Sequence, residues 1–430
     1  MDGKIKGIMS TTQTKAKDSH TRMGEVYHQM MAETNRLDQL PDHRSVKALL
    51  LQIADRVVDA TSFDFESKSG ERIAELSADM KAVKIRSGFN DWKYWNGVIH
   101  LAFLELAERF KAPSYQEYVL ANYEFTFRNQ AFFEQQYVSG NHSGSMHQFF
   151  RLDRLDDCGA MDAGLIAASQ LKHTKTFESR LERVTQYITK QQDRLPDGTF
   201  SRTCEGRRSV WADDAYMSIP FLVRRWQQTG EDALLEDAVQ MALHTHKHLF
   251  EESKGLYYHC YYPDLGVNGV AHWGRANGWV AMAYTELLKA LPKTHPDRDQ
   301  LLSNFNRHLT GLTRYQDAGG MWHQLLDKQD SFLESSGTAM FCYAMAVAIH
   351  QGWLDNLYTP VVIAAWQGLT DQIRADGTVD GISLGFNLRT DLPFYYRIPP
   401  VPDDPHGIGA VLMAGMAMLD LEPFDPWVWK

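Results

Sequence analysis

Four tips in this chain share one grammar. A glycine is followed closely by an aromatic or branched side chain, ahead of a long apolar helix pattern. The tips are Asp197–Phe200, Lys254–His259, Gly319–Gln324 and Asp376–Val379, and they recur roughly every 60 residues. A period of that length signals stacked supersecondary units, so the repeat organises the whole chain. The chain has 430 residues, 44% of them hydrophobic, enough to bury a large core. Length alone suggests two or three domains, but a closed repeat runs this long as one. The expected organisation is a polar tail or arm over 1–42 and a single domain over 43–430.

Between the tips, two kinds of helix pattern alternate. One kind is long, charged and apolar on one face, which marks a surface helix. The other is apolar nearly all round and rich in small residues, which marks a buried helix. Buried patterns are predicted near 94–110, 157–171, 213–229, 275–291, 335–351 and 406–420. A surface pattern precedes each, with 45–60 or 71–86 serving the first. Six inner and six outer helices in alternation predict an all-α (α/α)6 toroid. Its inner helices run one way, so their N-termini gather at one end and favour an anionic ligand there. The competing arrangement is an open α-solenoid that binds protein. A solenoid has no need of Trp, His, Arg and Asp in the turn before nearly every inner helix.

The net charge of −10 excludes a basic nucleic-acid footprint and a basic membrane-binding stripe. No apolar run reaches membrane-spanning length. The segment Met1–His20 lacks the apolar stretch of a secretory signal, so the chain reads as cytoplasmic, or periplasmic if a signal was trimmed. The four cysteines, Cys158, Cys204, Cys260 and Cys342, form no CxxC pair and read as structural thiols rather than a zinc or redox site. Neither a metal nor an organic cofactor is expected.

The residues opening the inner helices carry the chemistry. Two doubled carboxylates, Asp156-Asp157 and Asp213-Asp214, stand at adjacent inner helices. Two carboxyls in one dry pocket push one pKa up, and the raised one serves as an acid near neutral pH. A helix-start Asp also serves as an N-cap, but capping does not account for Trp211 and Tyr216 flanking the second pair. Trp92, Trp95, Trp211, Trp273, Trp279 and Trp322 converge on the same end of the toroid, where flat aromatic faces suit sugar rings. Arg275, between two tryptophans, requires a carboxylate from the protein or from a substrate. His259 and His406 read either as structural histidines or as site residues.

At this point the motifs resemble a known family. His272–Trp279, Trp211–Met217 and Met321–Gln324 with Glu334–Met340 look like the signature of the unsaturated rhamnogalacturonyl hydrolases, glycoside hydrolase family 105. The related unsaturated glucuronyl hydrolases of family 88 share fold and chemistry. The resemblance runs from about Trp92 to Leu419. It implies a substrate left by polysaccharide lyases, an oligosaccharide whose non-reducing end is a C4=C5 unsaturated uronic acid. It also implies that an Asp protonates C4, water adds at C5, and the hemiketal opens to release a keto-deoxy sugar. No cofactor takes part. The catalytic Asp of the Trp-x-Asp motif carries over to Asp213, and the second carboxylate to Asp157, with a one-residue ambiguity in each pair. Substrate contacts carry over to His259, Trp273, Arg275 and Trp279, and to Tyr94. Trp95, Trp211, Trp322 and His406 join them from the convergence of the tips.

One departure concerns the substrate. Many pectin-side members carry a Trp-His-Lys tip where this chain has Phe200-Ser201-Arg202. Arg202, with Arg207 and Arg208 nearby, implies a more anionic sugar, for example a sulfated rhamnose as in ulvan; otherwise Arg202 pairs with Glu205. Rival readings are a sugar epimerase of the same toroid class, which typically needs a histidine pair, and a catalytically silent glycan-binding toroid. The expected assembly is a monomer or homodimer.

Overall fold

Helices apolar on every side lie inside, and those with one apolar face lie around them, because only this arrangement buries both kinds. The computed structural model describes residues 22–26, 29, 39–77, 79–203 and 206–423. In chain order the barrel helices are α1 (His43–Ala60), α2 (Tyr94–Phe110), α3 (Pro113–Val138), α4 (Gly159–Leu171), α5 (Lys175–Gln186), α6 (Ile219–Thr229), α7 (Asp232–Leu249), α8 (Gly274–Ala290), α9 (Arg298–Leu312), α10 (Ser335–His350), α11 (Thr359–Asp371) and α12 (Pro405–Met418). Odd-numbered helices are outer and even-numbered ones inner. Each inner helix packs on the next, and α12 packs back on α2. That closure makes the molecule an (α/α)6 toroid and excludes the open solenoid. It also seats α12 on α1, joining the last helix to the first.

Small residues let the inner ring close. A Cβ on Gly97 of α2 would lie 2.2 Å from the Ala160 carbonyl oxygen of α4. Gly97→Ala is therefore expected to force the two helices apart at a cost of about 1–3 kcal/mol. A urea-unfolding midpoint equal to that of the parent would show that the ring does not depend on this contact.

The two ends of the toroid differ. Connections from inner to outer helices are short, such as 111–112, 172–174 and 230–231. Those from outer to inner helices are long: 61–93, 139–158, 187–218, 250–273, 313–334 and 372–404. All the long segments therefore collect at the N-terminal ends of the inner helices. They are stitched edge to edge around that mouth. Val210–Trp211 pairs with Cys260–Tyr262, Trp273 bridges Leu325, and the Ser335 N–H donates to the Gly381 carbonyl.

The four repeating tips lie in these connections and have a structural task. Gly198, Gly255, Gly320 and Gly377 all have positive φ, between 73° and 91°, a conformation open to glycine. The nearest neighbours of these glycines are His244 of α7, Gly311 of α9, Ala364 of α11 and Gln52 of α1, so each tip docks on the next outer helix.

Residues 71–86 are not an outer helix: Arg72–Ile73 and Lys84–Ile85 pair with Phe65–Glu66 as a small antiparallel sheet. The first outer helix is α1, which Asp42 caps by accepting from the Ser45 N–H. Most of the arm expected over 1–42 lies outside the described residues, as do Cys204 and Glu205. Among the described residues, no helix is long and apolar enough to cross a membrane.

Candidate active site

Each doubled carboxylate sits on a short 3-10 turn, Leu155–Asp157 before α4 and Ala212–Ala215 before α6. Successive side chains on such a turn point about 120° apart, so neighbours face different surroundings. Asp214 is fully buried, with both carboxylate oxygens held by Arg202 at 2.5–3.1 Å. Asp213 turns toward the mouth and keeps 9% of its surface exposed.

The other pair divides the same way. Asp157 is fully buried and takes Arg151 on both oxygens, at 2.9 and 2.5 Å, with the Asp153 N–H at 3.1 Å. Burial pushes its carboxyl up against the pull of Arg151. Its neighbour Asp156 has an 18% exposed side chain and accepts from Arg202 Nη1 at 2.7 Å. The expectation that Asp157 faces the site is thus corrected. Its side chain belongs to the wall, and Asp156 is the half-buried member of the pair.

Arg202 also departs from expectation. Its guanidinium clasps Asp156 and Asp214 at once and lies 4.1 Å over the Trp211 ring. With its fork already taken by two carboxylates, it ties the start of α4 to the start of α6 instead of facing a sugar.

Asp213 has a histidine beside it. His259 Nε2 lies 3.3 Å from Asp213 Oδ2, and His259 Nδ1 lies 2.9 Å from the Tyr395 hydroxyl. Burial alone would raise the Asp213 carboxyl. The His259 contact and the charges of Arg202 and Arg275 outweigh it and hold Asp213 below the usual carboxylate range.

Around this carboxylate stands an aromatic wall. Trp273 packs on His259 at 4.8 Å and on Phe386 at 4.6 Å between ring centres. Trp95 and His406 are 4.4 Å apart, and Tyr94 lies 5.4 Å from His406 and 6.2 Å from Trp279. Trp279 in turn stacks on Tyr216 at 4.9 Å. His406 Nδ1 is hydrogen-bonded to Asp404, the N-cap of α12. Burial pushes the Tyr94 phenol up, and the charges acting on it are Arg275, Asp156, Asp213 and Asp404. Those four charged groups therefore lie near Tyr94.

Arg275, in the first turn of α8, is fully buried and lies 4.6 Å from the Trp273 ring. It donates to the carbonyls of Ser383 and Leu384 and to Ser336 Oγ. Among the described residues no carboxylate comes within 4.0 Å of it. Its Nε, the indole nitrogens of Trp95, Trp273 and Trp279, Gln324 Oε1 and Asp213 Oδ2 are buried without a hydrogen-bond partner in the protein. A buried cation with no carboxylate in contact, beside donors lacking acceptors, is placed to receive a small anion with polar edges.

The toroid thus brings together Asp213, His259, Trp273, Arg275, Trp279, Tyr94, Trp95 and His406, with Trp211 supporting them through Arg202 and His259. It does not bring in Trp322. That indole donates to the Leu312 carbonyl at 2.8 Å and packs on Phe341, inside the core. Trp92 is also a core residue, donating to the Asp157 carbonyl at 3.0 Å. Tyr395 and Phe386 were not singled out in the sequence, and Gln324 stood there only as part of the Met321–Gln324 motif. Tyr395 and Phe386 come from the connection before α12 and carry no local motif. Among the described residues, no cluster of three His, Cys, Asp or Glu side chains is placed to hold a metal ion.

A family profile described as Glycosyl Hydrolase Family 88 matches residues 69–422. The chain is 27% identical over 224 residues to the unsaturated rhamnogalacturonyl hydrolase YesR of Bacillus subtilis (strain 168), covering 50% of this chain and 63% of that protein. It is 28% identical over 222 residues to the unsaturated 3S-rhamnoglycuronyl hydrolase of Alteromonas sp. (strain LOR), covering 49% of this chain and 51% of that one. The match therefore spans less than two thirds of either relative. In three dimensions the chain follows a possible GH105-family member from Salmonella enterica with a TM-score of 0.72 at 20% identity, over 89% of this chain and 95% of that one. It follows the unsaturated glucuronyl hydrolase of Bacillus sp. GL1 with a TM-score of 0.59 at 16% identity, over 88% and 96%. These likenesses show a common fold.

Proposed function

Because this chain belongs to glycosyl hydrolase family 88, we propose that it removes the unsaturated uronyl residue from the non-reducing end of lyase-generated oligosaccharides. The observation that carries this reading is Arg275, a fully buried guanidinium with no carboxylate in contact among the described residues, close enough to Asp213 for its charge to act on that carboxyl. The uronate carboxylate is the missing counter-charge. Tyr94 and Trp95 are the part-exposed aromatics of this group and suit the flat unsaturated ring, and the N-termini of the inner helices add partial positive charge.

With the carboxylate on Arg275, Asp213 donates its proton to C4 of the vinyl ether. Water adds at C5 and returns a proton to Asp213, leaving a hemiketal. The C5–ring-oxygen bond then breaks to give a ketone at C5 and a hemiacetal at C1. The hemiacetal expels the leaving sugar as an alcohol and becomes an aldehyde. One water is consumed and no cofactor is required. Asp156 is the proposed second carboxylate, oriented by Arg202. Two relatives are named for rhamnogalacturonyl and 3S-rhamnoglycuronyl substrates, so pectin-type and ulvan-type lyase products are the first candidates here.

The test uses lyase-generated oligosaccharides from pectin, ulvan and glycosaminoglycan. At least one is expected to lose its C=C ultraviolet absorbance, while an analogue with the double bond saturated stays intact. Absorbance unchanged with all three would sink the proposed activity. Cleavage of the saturated analogue at a comparable rate would return the carboxylates to ordinary glycosidase roles.

A further inference from the structure

Tyr395 belongs to neither ring of helices. It sits on the short helix Leu392–Tyr396, capped by Asp391, in the connection before α12. It is 1% exposed, its carbonyl accepts from Gln324 Nε2 at 3.1 Å, and its ring packs on Phe386 at 5.3 Å. From that fixed base its hydroxyl reaches His259 Nδ1 at 2.9 Å. The other nitrogen of the same ring lies 3.3 Å from Asp213. The two nitrogens of a neutral imidazole have opposite roles, one donating and one accepting. A carboxylate only accepts, so the nitrogen facing Asp213 is the one that needs the proton. Nδ1 is then bare and needs a donor, which a tyrosine hydroxyl supplies.

We propose that Tyr395 is a positioning residue for this reaction: its hydroxyl holds His259 in the tautomer whose Nε2–H faces Asp213. This rests on the reading of Asp213 as the proton donor. The assignment gives His259 a defined task. Its Nε2–H, 3.3 Å from Asp213 Oδ2 and with no hydrogen-bond partner of its own, lends its partial charge to the Asp213 carboxylate that forms once the proton has gone to C4. The groups acting on Asp213 from the surrounding elements are Arg202, Arg275 and His259, with Asp214, Tyr94 and Cys260 also within its field. None of the others donates to Nδ1, so the tautomer falls to Tyr395.

The experiment begins with the unmodified full chain labelled with ¹⁵N-histidine, the His259 signals being assigned by their loss in His259→Gln. At neutral pH the expected spectrum shows a protonated Nε2 and a bare Nδ1. A proton on Nδ1 overturns the proposal without any variant being needed. In Tyr395→Phe, which keeps the ring and its packing, the tautomers are expected to mix. Turnover should fall roughly threefold to tenfold, the loss expected for one hydrogen bond, with KM little changed. The alkaline limb of kcat/KM should move to higher pH, because a weaker Nε2 donor stabilises the carboxylate less. An unchanged tautomer in Tyr395→Phe overturns the proposal. So does a changed tautomer with an unchanged rate and pH profile. If the parent chain acts on no unsaturated uronyl oligosaccharide while the tautomer shifts as expected, the proposed function fails and the Tyr395–His259 coupling stands.

Discussion

Asp213→Asn is expected to lower turnover by about 10²–10⁴-fold, the contribution typical of a positioned acid–base group. The amide keeps the shape of the side chain but has no transferable proton. Binding should survive, because Arg275 and the aromatic wall are untouched; calorimetry with an unsaturated oligosaccharide checks this. Near-normal turnover in Asp213→Asn, with the loss appearing in Asp156→Asn instead, would reassign the acid. The pH profile carries a companion expectation. Asp213 must be protonated to act, so activity falls as pH rises through its pKa. In the free site the contact with His259 and the charges of Arg202 and Arg275 hold that pKa low. A substrate carboxylate on Arg275 cancels one of those charges and raises it. The limb of kcat, which reports the complex, should therefore lie at higher pH than the limb of kcat/KM, which reports the free protein.

Arg202→Ala should produce the largest loss of stability, about 3–5 kcal/mol, the range seen when one partner of a buried ion pair is removed. The side chains of Arg202 and Asp214 are 1% and 0% exposed, so truncation strands a carboxylate that water does not reach. Arg202→Lys should recover only part of the loss, since an ammonium does not fork between Asp156 and Asp214 as a guanidinium does. Urea unfolding measures both. A stability within 1 kcal/mol of the parent, together with a raised KM confined to acidic or sulfated substrates, would restore Arg202 as a substrate contact.

These two arginine–aspartate systems show why the site was only half legible in the sequence. Trp211–Met217 and His272–Trp279 are local strings, and the side chains that matter within them, Asp213, Trp273, Arg275 and Trp279, reach the cavity directly from the start of an inner helix. Asp156 and Asp157 are adjacent and chemically identical, and their difference lies in their partners. Arg151 takes Asp157 from the preceding short helix, whereas Arg202 takes Asp156 from 46 residues further on. Trp322 follows the same tip grammar as its counterparts, yet its indole finds the Leu312 carbonyl inside the core. Tyr395 lies 136 residues from the histidine it touches.

The sequence by itself determined the alternation of inner and outer helices and favoured the toroid, while the packing of α12 on α2 closed the ring. Helix periodicity and the contrast between one-sided and all-round apolar helices are properties of short windows. Six repeats of that contrast require stacked helix pairs, which an open solenoid or a closed double ring supplies. It also determined which end of the ring carries the chemistry, since the Trp, Arg and Asp residues precede the inner helices. Only the tertiary structure decided which carboxylate of each pair faces the cavity, which tryptophan belongs to the core, and which hydroxyl holds His259. The reason is physical: on a 3-10 turn a step of one residue rotates a side chain by about 120°. The arginine or tyrosine that then captures it arrives from a distant connection, where no local pattern records the meeting.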